Sequence, residues 1–181
     1  MLQAAGVAFE LVDTVADEEA AKERLRHLDA GAMALALAEL KAVGASGAGD
    51  ALVMGSDQTL EREDGSMINK PASRAEAMEQ LRSLSGATHR LHSAAVVTEA
   101  GRAAWRHVES VSLTMRRLSD AFLEGYLDRE YDAIRWNVGG YRIEGLGVQL
   151  FELIVGSHFA ILGLPLLPLL SYLREREVLG S

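Results

Sequence analysis

Four groups of residues in this chain have types and spacings that could do chemistry. Ala51-Leu52-Val53-Met54-Gly55 reads as a buried strand, and Ser56-Asp57-Gln58 follows it directly. Strand ends in open α/β sheets line ligand crevices, where a carboxylate can hold a metal or orient a water. A solvated turn aspartate would carry the same sequence, so the residues alone leave Asp57 open. Lys70 stands in Asn69-Lys70-Pro71, before a proline expected to close a hairpin. The proline keeps Lys70 out of helical geometry, and an ammonium fixed facing Asp57 would suit a phosphate as a point charge. Lys-Pro is also a common surface pair. Asp17, Glu18 and Lys41 form a third group, for which helix position is sufficient reason: acids favour a helix start and a cation favours its last turn. The fourth is Gly139-Gly140-Tyr141-Arg142-Ile143-Glu144-Gly145-Leu146-Gly147. Glycines around a short strand let backbone approach a flat ligand, and Glu144 could accept two hydrogen bonds from a base edge.

Other signals point away from common chemistries. Gly44 to Gly49 is glycine-rich but lacks the Gly-Lys-Ser/Thr ending of a phosphate loop, and the later glycines do not match the dinucleotide fingerprint. His89 and His92 are three apart in a strand-like run, so they should face opposite sides and make poor co-ligands. His27, His107 and His158 are scattered, Arg116-Arg117 reads as a solvated strand end, and there is no nucleophile elbow. With no cysteine, the sequence excludes a thiol nucleophile, an iron–sulfur cluster and Cys-ligated zinc.

The elements that must position these groups alternate between helix and strand. A helix end capped by Gly6 and a short strand from Ala8 to Val12 are expected first. Glu18 to Val43 is helical, with a break near Asp29-Ala30-Gly31, and Gly44 to Asp50 is a loop. Glu63-Asp64-Gly65-Ser66 is a hairpin turn. Ser73-Arg74-Ala75-Glu76 is a capping box opening a helix that stops at Ser85-Gly86. Strands follow at 89–98 and 104–115, then a helix capped by Ser119-Asp120 with Phe122, Leu123, Tyr126 and Leu127 on one face. Further strands are expected at 141–143 and 147–155. Phe159 to Leu173 reads as a buried strand, a turn and a last helix entered at Pro165, and falls short of the roughly 20 residues that cross a bilayer.

The chain has 181 residues, 49% hydrophobic and 24% charged, with a formal charge of −8. That suits one soluble globular domain over residues 1–181, and the negative charge opposes non-specific binding to nucleic acid or anionic membrane. No signal peptide is read at Met1-Leu2-Gln3-Ala4-Ala5-Gly6, and a cytoplasmic setting is expected. The class is α/β, a mixed sheet flanked by helices with a central cleft.

The order of the motifs is more specific than any one of them. Leu37-Ala38 with Lys41-Ala42, Gly55-Ser56-Asp57, Lys70-Pro71, Leu84-Ser85-Gly86, Gly140-Tyr141, Glu144-Gly145 and Gly163-Leu164-Pro165-Leu166 occur in sequence. The series resembles the Maf family of nucleoside triphosphate pyrophosphatases, which share an α/β fold with the inosine triphosphatases. The resemblance runs from about Met1 to Leu173 and implies hydrolysis of a nucleoside triphosphate to the monophosphate and pyrophosphate, with magnesium or manganese. It makes Asp57 the proton acceptor for the attacking water. Of the acidic pair Asp17 and Glu18, it favours Glu18 as metal and phosphate-site contributor beside Asp57. Lys41 and Lys70 neutralise the triphosphate.

Gln58 and Glu144 resemble the branch that prefers 7-methyl-GTP, whereas a pyrimidine-specific branch carries Thr and Gln there. Glu144 accepts only, so it complements the N1–H and N2–H of guanine, and a 7-methylated base adds positive charge. The resemblance also implies a homodimer and a role in removing non-standard nucleotides. The family pattern places a strand and a Ser-x-Ser-x-Arg-Arg phosphate loop, roughly 15 to 20 residues, ahead of the segment that Met1 to Glu10 matches. Without that loop, the alternative is a catalytically impaired nucleotide-binding or regulatory protein linked to cell division.

Overall fold

The computed structural model describes the chain apart from Ser46, Gly47, Ala48, Asp50 and Ser181, so four residues of the expected 44–50 loop lie outside the described residues. In chain order the elements are α1 (Glu18–Leu25), α2 (Ala30–Val43), β1 (Val53–Arg62), β2 (Met67–Ile68), α3 (Arg74–Leu84), β3 (Thr88–Glu99), β4 (Arg102–Met115), α4 (Asp120–Ile134), β5 (Phe151–Val155), α5 (His158–Ile161) and α6 (Leu166–Glu175). The strands form one five-stranded antiparallel sheet in the order β2-β1-β3-β4-β5. The expected α/β class is present, with the sheet antiparallel rather than mixed. Among the described residues no helix is long and apolar enough to cross a membrane.

The chain divides into two compact units. The first comprises Met1–Gln58, Ser93–Glu109 and Ser157–Ser181. Its part of the sheet is covered on both faces, which is why β3 reads there as an unbroken apolar run. Ala94 and Val96 pack on the alanine stripe Ala34, Ala38 and Ala42 of α2. Ala95 and Val97, pointing the other way, pack with Val7 and with Leu164, Leu166, Leu169, Tyr172 and Leu173 around α6. Trp105 of β4 stacks on Tyr172, ring centroids 5.3 Å apart.

The second unit comprises Thr59–His92 and Ser110–Gly156. The two histidines of β3 here do face opposite ways, as their spacing requires. His89 is buried and meets Tyr141 Oη at 2.7 Å, while His92 bridges Ser110 Oγ at 2.8 Å and Glu61 Oε2 at 3.2 Å. The face bearing His92 also carries the Thr88–Thr114 hydroxyl pair. Leu153 and Val155 of β5 are exposed. The capping box forms with a shifted partner: Ser73 Oγ accepts from Glu76 N, while Glu76 reaches past Ser73 to accept from Ala72 N. Ser119 caps α4 by accepting from Phe122 N, and Leu123, Tyr126 and Leu127 are buried.

Several expected elements take another form. Residues 8–12 are not a strand, and Leu11 is 92% exposed. An extended segment needs a ladder partner, and the only bridge near it among the described residues is the isolated pair Thr14–Ala45. Residues 141–143 form no strand: Tyr141 and Arg142 lack regular structure and a turn begins at Ile143, because Gly139 and Gly140 both adopt positive φ and Gly147 folds back onto the Arg142 backbone. The strand expected at 147–155 begins only at Phe151, after a 3-10 turn over Leu146–Leu150. The stretch from Phe159 opens with a helical turn instead of a strand: Ser157 caps α5 by accepting from Ala160 N, and Gly163 at φ 97 ends it. Periodicity cannot separate a short apolar strand from a short helix. Asp57 is not at a strand end but in the middle of β1, which continues to Arg62.

Candidate functional site

Asp57 sits inside a strand because its carboxylate has a partner there. Two helices bring that partner in. Asp17 accepts from Ala20 N at 3.0 Å and caps α1, the ordinary use of an aspartate before a helix. It leaves Glu18 as the first helical residue. Asp29 caps α2 in the same way, accepting from Ala32 N at 2.8 Å. Three turns later α2 presents Lys41, whose Nζ donates to Asp57 Oδ1 at 2.7 Å and lies 3.3 Å from Glu18 Oε1. The three charges form a carboxylate–ammonium–carboxylate group inside the first unit.

Gly55 makes this approach possible. A Cβ there would run into the Ala38 carbonyl oxygen and lie 2.6 Å from Ala42 N, so α2 rests on the bare backbone of β1. A glycine inside an apolar strand is a sequence signal for close backbone approach, and alanines at 34, 38 and 42 are its counterpart on the helix. Read separately, neither pointed to Lys41 and Asp57 being neighbours.

Burial sets the electrostatics. Asp57 is 14% and Lys41 24% exposed at the side chain. Desolvation raises the Asp57 pKa above the ordinary aspartate range, and the hydrogen bond and charge of Lys41 offset this only in part. For Lys41 burial acts downward, but the hydrogen bond and charge of Asp57, with the charge of Glu18, outweigh it and raise the pKa. Lys41 is therefore an ammonium, and Asp57 is a more basic carboxylate than a solvated one.

Gln58 points away from this group. Its Nε2 donates to Ser93 Oγ at 2.8 Å and to the carbonyl oxygens of Ala160 at 2.9 Å and Ile161 at 3.1 Å. No sequence motif marked Ser93 or these carbonyls.

Lys70 and Glu144 belong to the second unit. The Lys70 backbone is held on both sides, since Gln80 Nε2 donates to Asn69 O at 3.1 Å and Pro71 is buried; its side chain is exposed. Glu144 is exposed between buried Ile143 and half-buried Gly145. The loop that carries it is tied to α4 by Arg142, whose Nε donates to Glu130 Oε2 at 2.8 Å.

Among the described residues no three acidic or histidine side chains cluster to form a metal cage. The group instead offers two carboxylates, Glu18 and Asp57, meeting at one cation. Hard oxygen donors in that number fit magnesium or manganese, which are commonly held by one or two carboxylates and completed by substrate phosphates.

Comparison with known proteins shows the family. Residues 1–176 match the family described as Maf-like protein. The chain belongs to the Maf-like family. It is 49% identical over 176 residues to a nucleoside triphosphate pyrophosphatase of Caulobacter vibrioides, covering 96% of this chain and 88% of the relative. It is 46% identical to the nucleoside triphosphate pyrophosphatase of Nitrobacter winogradskyi, over 99% of this chain and 89% of the relative. A 7-methyl-GTP pyrophosphatase of Rhizobium meliloti is 46% identical, over 97% of this chain and 89% of the relative.

Proposed function

We propose that this chain is a nucleoside triphosphate pyrophosphatase that hydrolyses a non-standard or modified nucleotide, with 7-methyl-GTP its preferred substrate, to the monophosphate and pyrophosphate. The observation that carries the proposal is the Lys41 ammonium lodged between Glu18 and Asp57. The names of relatives at 44–49% identity support the reaction class.

Hydrolysis of the α–β anhydride needs a water that loses a proton as it attacks phosphorus, and positive charge around the departing pyrophosphate. Asp57 takes that proton. Its raised pKa makes it a better acceptor than a solvated carboxylate. Lys41 keeps its charge and, with Lys70, offsets that of the triphosphate. Glu18 and Asp57 would hold magnesium or manganese, which when bound neutralises phosphate charge as a Lewis acid. Glu144, an acceptor only, pairs with the donor edge of guanine and attracts a base made cationic by 7-methylation. The enzyme acts as a cytoplasmic homodimer.

Pyrophosphate release from 7-methyl-GTP, GTP, UTP and dTTP, with magnesium or manganese, tests the proposal. Release that is highest with 7-methyl-GTP is the expected result. Nucleotide binding without release from any of the four refutes the enzymatic reading and identifies a regulatory binding protein.

A further inference from the structure

Neighbouring residues of a strand point to opposite faces, so Asp57 and Gln58 look away from one another across the sheet. The Lys41 ammonium holds one of them. The other is held just as firmly. Ser93 and Ala160 are fully buried, and Ser93 Oγ donates to Ala160 O at 2.6 Å. With the serine hydrogen committed there, a lone pair of Oγ is free to accept from Gln58 Nε2 at 2.8 Å. All three groups around the Gln58 nitrogen are thus acceptors, and only an amide nitrogen satisfies them. Two of them are carbonyls at the end of α5, and that of Ala160 also accepts from Gly163 N at 3.0 Å. Beyond α5 the chain turns at Gly163 into Leu164, Leu166 and Leu169 of the core.

Resting on the reading of Asp57 as the base, we infer that Gln58 and Ser93 are positioning residues. Their clamp on α5 fixes the rotation of β1 and so aims the Asp57 carboxylate at Lys41. Gln58 acts on the nucleotide through this clamp and not by donating its amide hydrogens to the base, because those hydrogens are already engaged.

Gln58→Met removes the donors at nearly constant size, and Ser93→Ala removes the relay. Each lowers kcat by about 10- to 100-fold with KM for 7-methyl-GTP changed less than about threefold, the pattern of a misaimed catalytic group. Gln58→Glu gives the sharper readout. A glutamate carboxylate brings no hydrogen to the three acceptors and adds charge repulsion, so its kcat falls further than that of Gln58→Met while KM stays within the same limit. Amide hydrogen exchange over residues 157–164 reads the clamp without turnover and accelerates in all three variants. Unchanged exchange in Gln58→Met overturns the clamp. A raised KM or a reordered substrate ranking with kcat retained overturns the positioning role in favour of direct contact with the base. A wild type that releases no pyrophosphate also overturns that role, and the exchange data tell it apart from failure of the clamp itself.

Discussion

Gly55→Ala adds one methyl group at the point where α2 lies on β1. The new Cβ would overlap the Ala38 carbonyl oxygen and sit 2.6 Å from Ala42 N and 3.1 Å from Ala42 Cβ. Ordinary contacts between such atoms begin near roughly 3.5 Å, so strand and helix must part by about 1 Å. The atoms met are helix backbone and cannot rotate aside, so the cost falls in the range for overpacking, about 1–3 kcal/mol. The same displacement stretches the 2.7 Å bond from Lys41 to Asp57 beyond hydrogen-bond length. Misplacement on that scale costs about 10²-fold in rate. Urea unfolding and pyrophosphate release, both on the folded variant, measure the two effects together. Gly125→Ala is the control: it lies in α4 with nothing within 4 Å of the added Cβ, and should gain about 0.5–1 kcal/mol with turnover unchanged. Wild-type stability in Gly55→Ala would refute the close approach. Lost stability with full turnover per folded molecule would show that Lys41 need not meet Asp57.

Other consequences can be measured directly. Asp57→Asn lowers turnover by about 10²–10⁴-fold with the circular dichroism spectrum retained; near-normal turnover removes Asp57 as the base. Because burial raises the Asp57 pKa above 3.8, the acid limb of kcat has its midpoint above that value, and a midpoint at or below it contradicts the burial argument. His89, held neutral by burial with its pKa lowered to about 4, resists protonation that the unfolded chain accepts below 6.5. Its contribution is therefore complete above pH 6.5 and lost as pH falls toward 4, an effect of about 3 kcal/mol. Denaturant titrations across that range show the slope, and His89→Phe flattens it. Glu144→Gln replaces an acceptor by a mixed donor and acceptor and shifts preference from 7-methyl-GTP toward pyrimidine nucleotides, read from the ratio of kcat/KM values; an unchanged ranking removes Glu144 from base recognition.

Much of the local structure was legible because local chemistry specifies it. Gly6 closes the first turn, Asp29 caps α2 and Ser119 caps α4, each as its residue type and position predict. The errors fall where partners distant in sequence decide. Residues 8–12 have strand composition, but no neighbour among the described residues pairs with them. Phe159–Ile161 is as apolar as a strand yet is turned into a helix by Ser157.

The sequence by itself determined the helices other than α5, the local caps of α1 to α4, the long strands of the sheet, and the family order of motifs that singled out Asp57, Lys41, Glu18, Lys70, Gln58 and Glu144. These depend on residue type and short spacing. Only the tertiary structure decided that Glu18 meets Lys41, that Asp57 lies within its strand, and that the Gln58 amide is bound to Ser93 and α5. Residues 41 and 57 are joined because Gly55 and three alanines let a helix and a strand come close enough to touch. Burial at that contact is what shifts the proton affinity of Asp57, and no spacing along the chain encodes it.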